Sequence, residues 1–485
     1  MKLKKLLEGI EVSDCSEGVL DYEIEGISED SREDLEGKAF VCLVGEHNDG
    51  HDYIGKAVEK GAKVLICERV PQGFEEYPHV IVNSTRRTDA FLWSRFYGDP
   101  ADSLKVLCVT GTNGKTTTSY MIRSILHEAG KKTGLIGTLG AFIDDKPLEF
   151  TDMTTPDPPK LFEILFKMKK AGVTHVIMEV SAHALALKKT FGIVFDVAAL
   201  TNAGRDHLDY FETEENYKEA KKLLFLPEKC LCRVLNADDS FGQLLYAEFP
   251  SGTRTYGVNN PADAFAIDEE CSLGGIRFVM NLCDDILKIA CPTAGRFNVY
   301  NALCAALTCK QLGVNARAVA KGLKNVGEVD GRFNVIGGAR QKIVIDFAHT
   351  PESLKNAICS LKECSPGKIV AVFGCGGDRD RGKRPQMGKV ACENADFCVV
   401  TSDNPRSEDP KKIIEDVVSG IKTTNYEVVP DRKQAIRYAL ECAGDNGVVL
   451  IAGKGGEKYQ EINGVKYEFS DAEFVRGLID EKVIE

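Results

Sequence analysis

The 485-residue sequence has a single tryptophan, no Cys-x-x-Cys pair and no excess of basic residues. It also has no uncharged apolar run approaching the ~20 residues of a membrane span. Each absence removes a class of function. Without paired cysteines there is no zinc knuckle, and Cys230-Leu-Cys232 has the wrong spacing for one. The cysteines are numerous, 17, but odd in number and scattered through apolar segments such as Leu65-Ile-Cys67, so they read as reduced core residues. A formal net charge of −12, with no Lys/Arg-rich tract, argues against a nucleic-acid partner. An acidic protein that handles polyanions must gather its cations locally or bring in Mg²⁺. Met1-Lys-Leu-Lys-Lys-Leu-Leu-Glu8 lacks the apolar core and small-residue cleavage site of a signal peptide, so a cytoplasmic protein without membrane insertion is expected. No internal repeat or low-complexity linker is visible. With 43% hydrophobic and 28% charged residues, the chain is a globular protein long enough for about three domains.

The most informative stretch is Gly111-Thr112-Asn113-Gly114-Lys115-Thr116-Thr117. The apolar run Leu104 to Val109 predicts a buried strand before it. Met121, Ile122, Ile125 and Leu126 predict one face of a helix running from Thr116 to Gly130. Strand, glycine turn and helix start form the order a phosphate site requires: backbone N–H groups approach the oxygens, Lys115 reaches a terminal phosphate and the Thr116 hydroxyl can ligate Mg²⁺. The first glycine stands too close to the second for a full G-x-x-x-x-G-K-[ST], so the turn also reads as an ordinary glycine-rich one.

Before it, residues 1–100 alternate strand-like and helix-like segments and end in the breaker Gly98-Asp-Pro100. Within them, Gly45-Glu-His47-Asn-Asp-Gly50 is either a binding loop or a plain one. After it, the strand ending in Met178-Glu179-Val-Ser181 and the strand Val194 to Leu200, leading into Thr201-Asn…Asp206-His207-Leu-Asp209, deliver oxygen and nitrogen ligands to one sheet edge. Lys221 lies on the apolar stripe of a helix with Tyr217, Ala220 and Leu224, as a snorkelling lysine or a partly dry, reactive amine. A helix carrying Asn298 and Asn301 precedes the turn Gly331-Arg332, the second expected boundary. Beyond it, three strands each end in a charged, glycine-bearing loop: Gly374 to Arg384, Asp403 to Arg406, and Gly453 to Glu457. One pocket on that edge is expected.

Together with Asp346-Phe-Ala-His349-Thr-Pro351, these motifs resemble the Mur ligases, ATP-dependent amide-bond ligases of cell-wall synthesis, over essentially the whole chain. The resemblance implies an α/β, three-domain Mur ligase architecture: a UDP-binding domain (1–100), a central P-loop parallel-sheet ATPase domain (101–333) and a Rossmann-like C-terminal amino-acid domain (334–485). It implies ATP, two Mg²⁺ ions and a CO₂-derived carbamate on Lys221. Thr116, Glu179, His207 and Lys221 would be metal ligands, and Lys115, Lys221 and His207 would be catalytic. The phosphate loop Gly111 to Thr117, with Asn298, Asn301, Arg332, Asp346 and His349, would hold ATP. Ser31 and the His47 loop would hold a UDP end, and Thr154, Thr155, Ser181 and Lys189 a muramoyl-dipeptide. The implied partners are small molecules, the UDP-N-acetylmuramoyl-dipeptide and meso-2,6-diaminopimelate, acted on by a monomer. Asp403-Asn404-Pro405-Arg406 is the form expected for diaminopimelate, which carries one carboxylate more than lysine. Arg406 and Arg379 offer guanidinium forks, and Gly453 and Glu457 complete the pocket. Three positions differ from the family pattern: Gly456 stands where a histidine is usual, and Leu187 and Lys189 stand for a glutamine and an arginine. Alternatives left open are a lysine-adding or other Mur ligase, a folylpolyglutamate synthetase and a nucleotide switch without ligase activity.

Overall fold

The structure is a computed structural model that describes residues 1–45, 48–70, 72–151, 153–337 and 341–480. The chain divides into two compact units. Met1–Leu107, Lys132–Asp196 and Glu228–Cys230 form the first, and Cys108–Lys131, Val197–Pro227 and Leu231–Glu485 the second.

Unit 1 contains a five-stranded sheet in the order Val12–Cys15, His79–Val82, Val64–Cys67, Lys38–Val41, Gly26–Ser28. Its first strand is antiparallel to its neighbour and the others are parallel. Because successive side chains point to opposite faces, Val64 and Ile66 pack with Leu3, Leu6 and Leu92. Leu65 and Cys67 pack with Phe40 and Ile54 on the other face. The helix Thr85–Phe96, capped by Ser84, carries Asp89 and Trp93. Elsewhere in this unit His175–Glu179 runs parallel to Thr133–Gly137. Gly140–Ile143 and Lys146–Glu149 continue as antiparallel strands.

Unit 2 includes the end of the strand Lys105–Thr110, the phosphate turn and the helix Lys115–Glu128. From that strand the sheet order runs through Phe195–Leu200, Cys230–Asn236, Thr253–Gly257, Ala264–Ser272, Gly275–Leu282 and Asp285–Cys291. The last three strands form an antiparallel meander beside the parallel ones. The helix Phe297–Gln311 contacts three of these strands, Thr253–Gly257, Ala264–Ser272 and Gly275–Leu282.

A second sheet of unit 2 has the order Asn334–Gly337, Lys342–Asp346, Val448–Ala452, Ile369–Phe373, Phe397–Val400, Tyr426–Val428. All its pairings are parallel except the first. Helices cover both faces: Pro351–Cys364 and Lys383–Asn394 lie over Val344, Ala371 and Leu450, and Arg432–Ala443 over Ile343, Val372 and Val449. Coverage on both faces explains why these strands are near-continuous apolar runs. Tyr459–Ile462 and Val465–Glu468 form a small hairpin after them. Among the described residues no disulfide is formed.

Candidate active site

In unit 2 the phosphate turn is shaped by its neighbours. Gly111 has φ +155°, and a Cβ there would lie 1.8 Å from Thr201 Oγ1. Gly114 has φ +86°, and its Cβ would lie 2.4 Å from Asn301 Oδ1, so both positions demand glycine. The Thr201 hydroxyl donates to the Asn113 carbonyl at 2.6 Å, and the Asn113 N–H donates to Asn202 Oδ1 at 2.9 Å. Thr112 Oγ1 donates to the Gly204 carbonyl at 3.1 Å and accepts from the Gly204 N–H at 3.0 Å. Lys115 curls back to donate to the carbonyls of Gly111 and Thr112 at 2.8 and 3.2 Å. Gly114 precedes the helix without a side-chain cap, and the positive end of a helix favours an anion. Thr116 and Thr117 are buried in that first turn, with an Arg332 Nη2 donating to Thr116 Oγ1 at 3.4 Å.

Asn298 and Asn301 are buried and bonded to each other, Nδ2 of Asn301 donating to Oδ1 of Asn298 at 2.8 Å. Asn301 Oδ1 also accepts from Thr118 Oγ1, so the pair props the turn from beneath. Asp346, at a strand end, accepts from the N–H groups of Phe333 and Ala348 at 2.8 and 2.9 Å. Burial raises its carboxyl above the usual range against the opposing Arg332 charge. The Arg332 guanidinium lies 4.3 Å from the Phe347 ring centroid.

Lys221 lies in the last turn of the helix Glu214–Lys222 and is 1% exposed, its Nζ 4.5 Å from the Tyr217 ring centroid. Burial, then the Lys115 ammonium, push this amine well below the ordinary lysine range, while Asp206 and Asp239 pull the other way. The snorkelling alternative is therefore excluded: the side chain does not reach water. Asp206 faces the imidazoles of His207 and His349, with Oδ2 3.3 and 3.8 Å from their Nε2 atoms. Burial alone would raise the Asp206 carboxyl, but His349, His207 and Lys383 outweigh it and hold it low. His349 is lowered by its surroundings against the pull of Asp206. Asp206 is a site residue that the sequence reading did not single out, although it stands in the motif that contains His207.

The loops beyond the second sheet of unit 2 converge as expected. Asn404 Nδ2 donates to Glu457 Oε2 at 2.7 Å, and Arg406 Nη1 donates to the Gly377 carbonyl at 2.7 Å. A Cβ at Gly453 would lie 2.5 Å from Asp403 Oδ2, and one at Gly377 would lie 1.9 Å from the Pro405 carbonyl oxygen. Arg379 is exposed on the neighbouring loop and donates to the Asp378 carbonyl. Lys454, overlooked in the sequence, is wholly buried and donates to Asn404 Oδ1 and Glu457 Oε2 at 3.0 and 3.1 Å. Its Gly-Lys-Gly setting was the available signal. Also unread were Glu408 and Arg384, which tie two of the loops: Glu408 Oε1 accepts from the Asp378 N–H and from Arg384 Nη2 at 2.6 and 2.7 Å. The Gly331-Arg332 turn packs on Gly455-Gly456, where a Cβ at Gly331 would meet Gly456 N at 1.8 Å.

Unit 1 holds the other residues named from the sequence. Glu179 is fully buried and accepts from the N–H and hydroxyl of Thr138 at 3.2 and 2.9 Å. Thr154 shares a hydrogen bond with the same Thr138 hydroxyl, and Thr155 donates to the Glu179 carbonyl. The Ser181 N–H donates to Thr155 Oγ1, and the Ser181 side chain caps the helix Ala182–Ala186. Lys189 pairs with Asp157 at 2.8 Å. Ser31 is buried beside the exposed Asp30–Arg32 pair, in which the arginine holds the aspartate down at about 2. His47 lies outside the described residues.

Among the described residues no group of three or more His, Cys, Asp or Glu is arranged to hold a metal ion. Mg²⁺ bound between nucleotide phosphates needs only a hydroxyl and one or two carboxylates, since it keeps several waters. The buried hydroxyl of Thr116 and the glycine-demanding turn beside it fit that requirement. Among the described residues no helix is long and apolar enough to cross a membrane.

The chain belongs to the Mur ligase family. Family models match at residues 23–90 (Mur ligase family, catalytic domain), 109–309 (Mur ligase middle domain) and 331–455 (Mur ligase, glutamate ligase domain). Among its relatives, the UDP-N-acetylmuramoyl-L-alanyl-D-glutamate–2,6-diaminopimelate ligase 1 of Clostridium acetobutylicum is 39% identical, covering 99% of this chain and 100% of the relative. The corresponding ligase of Bacillus licheniformis is 40% identical over 99% of both chains. A solved structure of a UDP-N-acetylmuramoyl-L-alanyl-D-glutamate–2,6-diaminopimelate ligase superposes with a TM-score of 0.71, at 31% identity and 100% coverage of both chains. The α/β, three-domain Mur ligase architecture expected from sequence is therefore the fold class of this chain.

Proposed function

We propose that this protein joins meso-2,6-diaminopimelate to UDP-N-acetylmuramoyl-L-alanyl-D-glutamate, with conversion of ATP to ADP and phosphate, in peptidoglycan precursor synthesis. The D-glutamyl carboxylate oxygen takes the γ-phosphoryl group, giving an acyl phosphate and ADP. The diaminopimelate amine then attacks the acyl carbon, loses a proton and expels phosphate from the tetrahedral intermediate, leaving the amide. Gly111 to Thr117 would hold the phosphates and Lys115 would balance charge on the transferring group. Asn298, Asn301, Arg332, Asp346 and His349 would border the nucleotide. Two Mg²⁺ ions, held by Thr116, Glu179, His207 and a CO₂-derived carbamate on Lys221, would neutralise phosphate charge. A lysine kept neutral by burial is the form that reacts with CO₂, its nitrogen bonding the carbon as a proton leaves.

Ser31, His47, Thr154, Thr155, Ser181 and Lys189 would bind the sugar-peptide, and Arg379, Asp403 to Arg406, Gly453 and Glu457 the amino acid. The domain division would be 1–100, 101–333 and 334–485, in a cytoplasmic monomer. The observation that carries the reading is the Asn404–Glu457–Arg406 loop cluster, which offers a carboxylate to an ammonium and a fork to a second carboxylate. A lysine substrate would lack the second carboxylate for that guanidinium to meet. The full-length similarity to diaminopimelate-named relatives favours this reading over a folylpolyglutamate synthetase or a lysine-adding ligase.

The test is ADP release measured with the UDP-dipeptide and a panel of amino acids. Release is expected only when the UDP-dipeptide and diaminopimelate are both present. ATP turnover indifferent to both would establish a nucleotide switch instead.

A further inference from the structure

The helix Asp471–Asp480 of unit 2 takes no part in the chemistry proposed above, yet its first residue is a fully buried aspartate. Asp471 meets Arg432, the equally dry first residue of the helix Arg432–Ala443. Nε and Nη2 of the guanidinium donate to Oδ1 and Oδ2 of the carboxylate, each at 2.8 Å. Nη2 also donates to the Ala452 carbonyl at 3.0 Å and Nη1 to the Ser402 carbonyl at 3.5 Å, with Asp403 Oδ2 4.0 Å away. Burial works against the Arg432 charge, but Asp471, Asp403 and Glu457 outweigh it and hold the group above the ordinary arginine range. A buried ion pair is often no more stabilising than well-packed apolar residues of similar volume. Stability is therefore weak grounds for its presence.

Its place in the sheet supplies a different role. Ser402 and Asp403 follow the strand Phe397–Val400, and Ala452 ends the strand Val448–Ala452. Ile369–Phe373 lies between these two strands, so among the described residues no ladder hydrogen bond joins them, and Arg432 spans their ends instead. Beyond that point Asp403 accepts the Asn404 N–H at Oδ1, 2.7 Å, and its carbonyl accepts from Gln460 Nε2 at 2.7 Å. We propose that Arg432, braced by Asp471, is a positioning residue for the amino-acid pocket. It fixes the loop Asp403–Arg406 against the loop Gly453–Glu457, and with them the spacing of the carboxylates and guanidinium that an amino-acid substrate meets. The identity of that substrate rests on the ligase reading. Only a planar fork reaches one carboxylate with two bonds and two carbonyls at once, so a lysine does not substitute for this arginine.

The experiment compares full-length Arg432→Met, the double variant Arg432→Met/Asp471→Leu and Arg432→Lys with the wild type, in melting temperature and in steady-state ADP release. Arg432→Met alone strands a buried carboxylate and should lower the melting temperature, whereas the double variant removes both charges and should recover it. KM for diaminopimelate is expected to rise about tenfold in both, with kcat and the KM values for ATP and the UDP-dipeptide little changed. A KM that stays high after stability has returned separates positioning from support of the fold. A KM that returns to the wild-type value in the double variant overturns the proposal. Should the double variant not fold, Arg432→Lys decides: a raised KM for diaminopimelate alone supports the proposal, and an unchanged one overturns it. A wild type that turns over with a different amino acid sinks the diaminopimelate reading, and the same comparison run with that amino acid then decides the role of Arg432. If no amino acid supports ADP release, the ligase reading falls and calorimetric binding of diaminopimelate decides instead. Weaker binding to the variants than to the wild type supports the positioning role, and equal or absent binding in all of them overturns it.

Discussion

Two buried lysines of unit 2 show how the same side chain is put to opposite uses. Lys221 is 1% exposed and lies over the Tyr217 ring, with the Lys115 ammonium depressing its basicity. Lys454 is 0% exposed, but its three donors are directed to Asn404 Oδ1, Glu457 Oε2 and the Tyr459 carbonyl. Burial without a close carboxylate favours the neutral amine, a nucleophile. Burial with a full set of acceptors makes the side chain a strut. The difference teaches that burial alone does not assign a lysine's chemistry; its partners do.

The comparison breaks most visibly if the two lysines respond alike to replacement by methionine. Lys221→Met is expected to reduce ADP release about a thousandfold without lowering the melting temperature, because it removes an amine buried at a cost. An equal loss of stability would show Lys221 to be a strut as well. Lys454→Met should do the reverse, lowering stability by about 2 kcal/mol, since Glu457 loses its cation but keeps some solvent. Calorimetry checks this, with KM for diaminopimelate rising and KM for ATP unchanged. Arg406→Ala is expected to reduce the preference for diaminopimelate over lysine about tenfold while ATP affinity holds; competition between the two amino acids measures it.

The smallest effect concerns the neighbouring strut. The Arg384 guanidinium, ahead of the Asp378 N–H, holds Glu408 down at about 2, from an ordinary value of 4.5. A carboxylate depressed in the folded state contributes its full stability above pH 4.5 and loses it as pH falls toward about 2. The difference in melting temperature between wild type and Glu408→Gln should therefore shrink across that window and stay constant above it.

Much of this was legible in the chain. The strand Ile369–Phe373 is apolar throughout because both faces are covered, and Lys221 could be placed on an apolar stripe because helical periodicity exposes such an intrusion. The antiparallel strands Ala264–Ser272, Gly275–Leu282 and Asp285–Cys291 went unread, although their alternation with short turns was a usable signal. Lys454 gave no periodic signal at all: in a glycine-rich loop, spacing does not say which way a side chain turns.

By itself the sequence determined the α/β class, the glycine turn after a buried strand and the family, since each is written in local order and spacing. Only the tertiary structure decided which charges are dry and what they face. Lys454 meets Asn404 across 50 residues, and Trp93 meets Glu29 across 64. Solvation and partnership are properties of segments distant in the chain, and they exist only once folding has excluded the water between them.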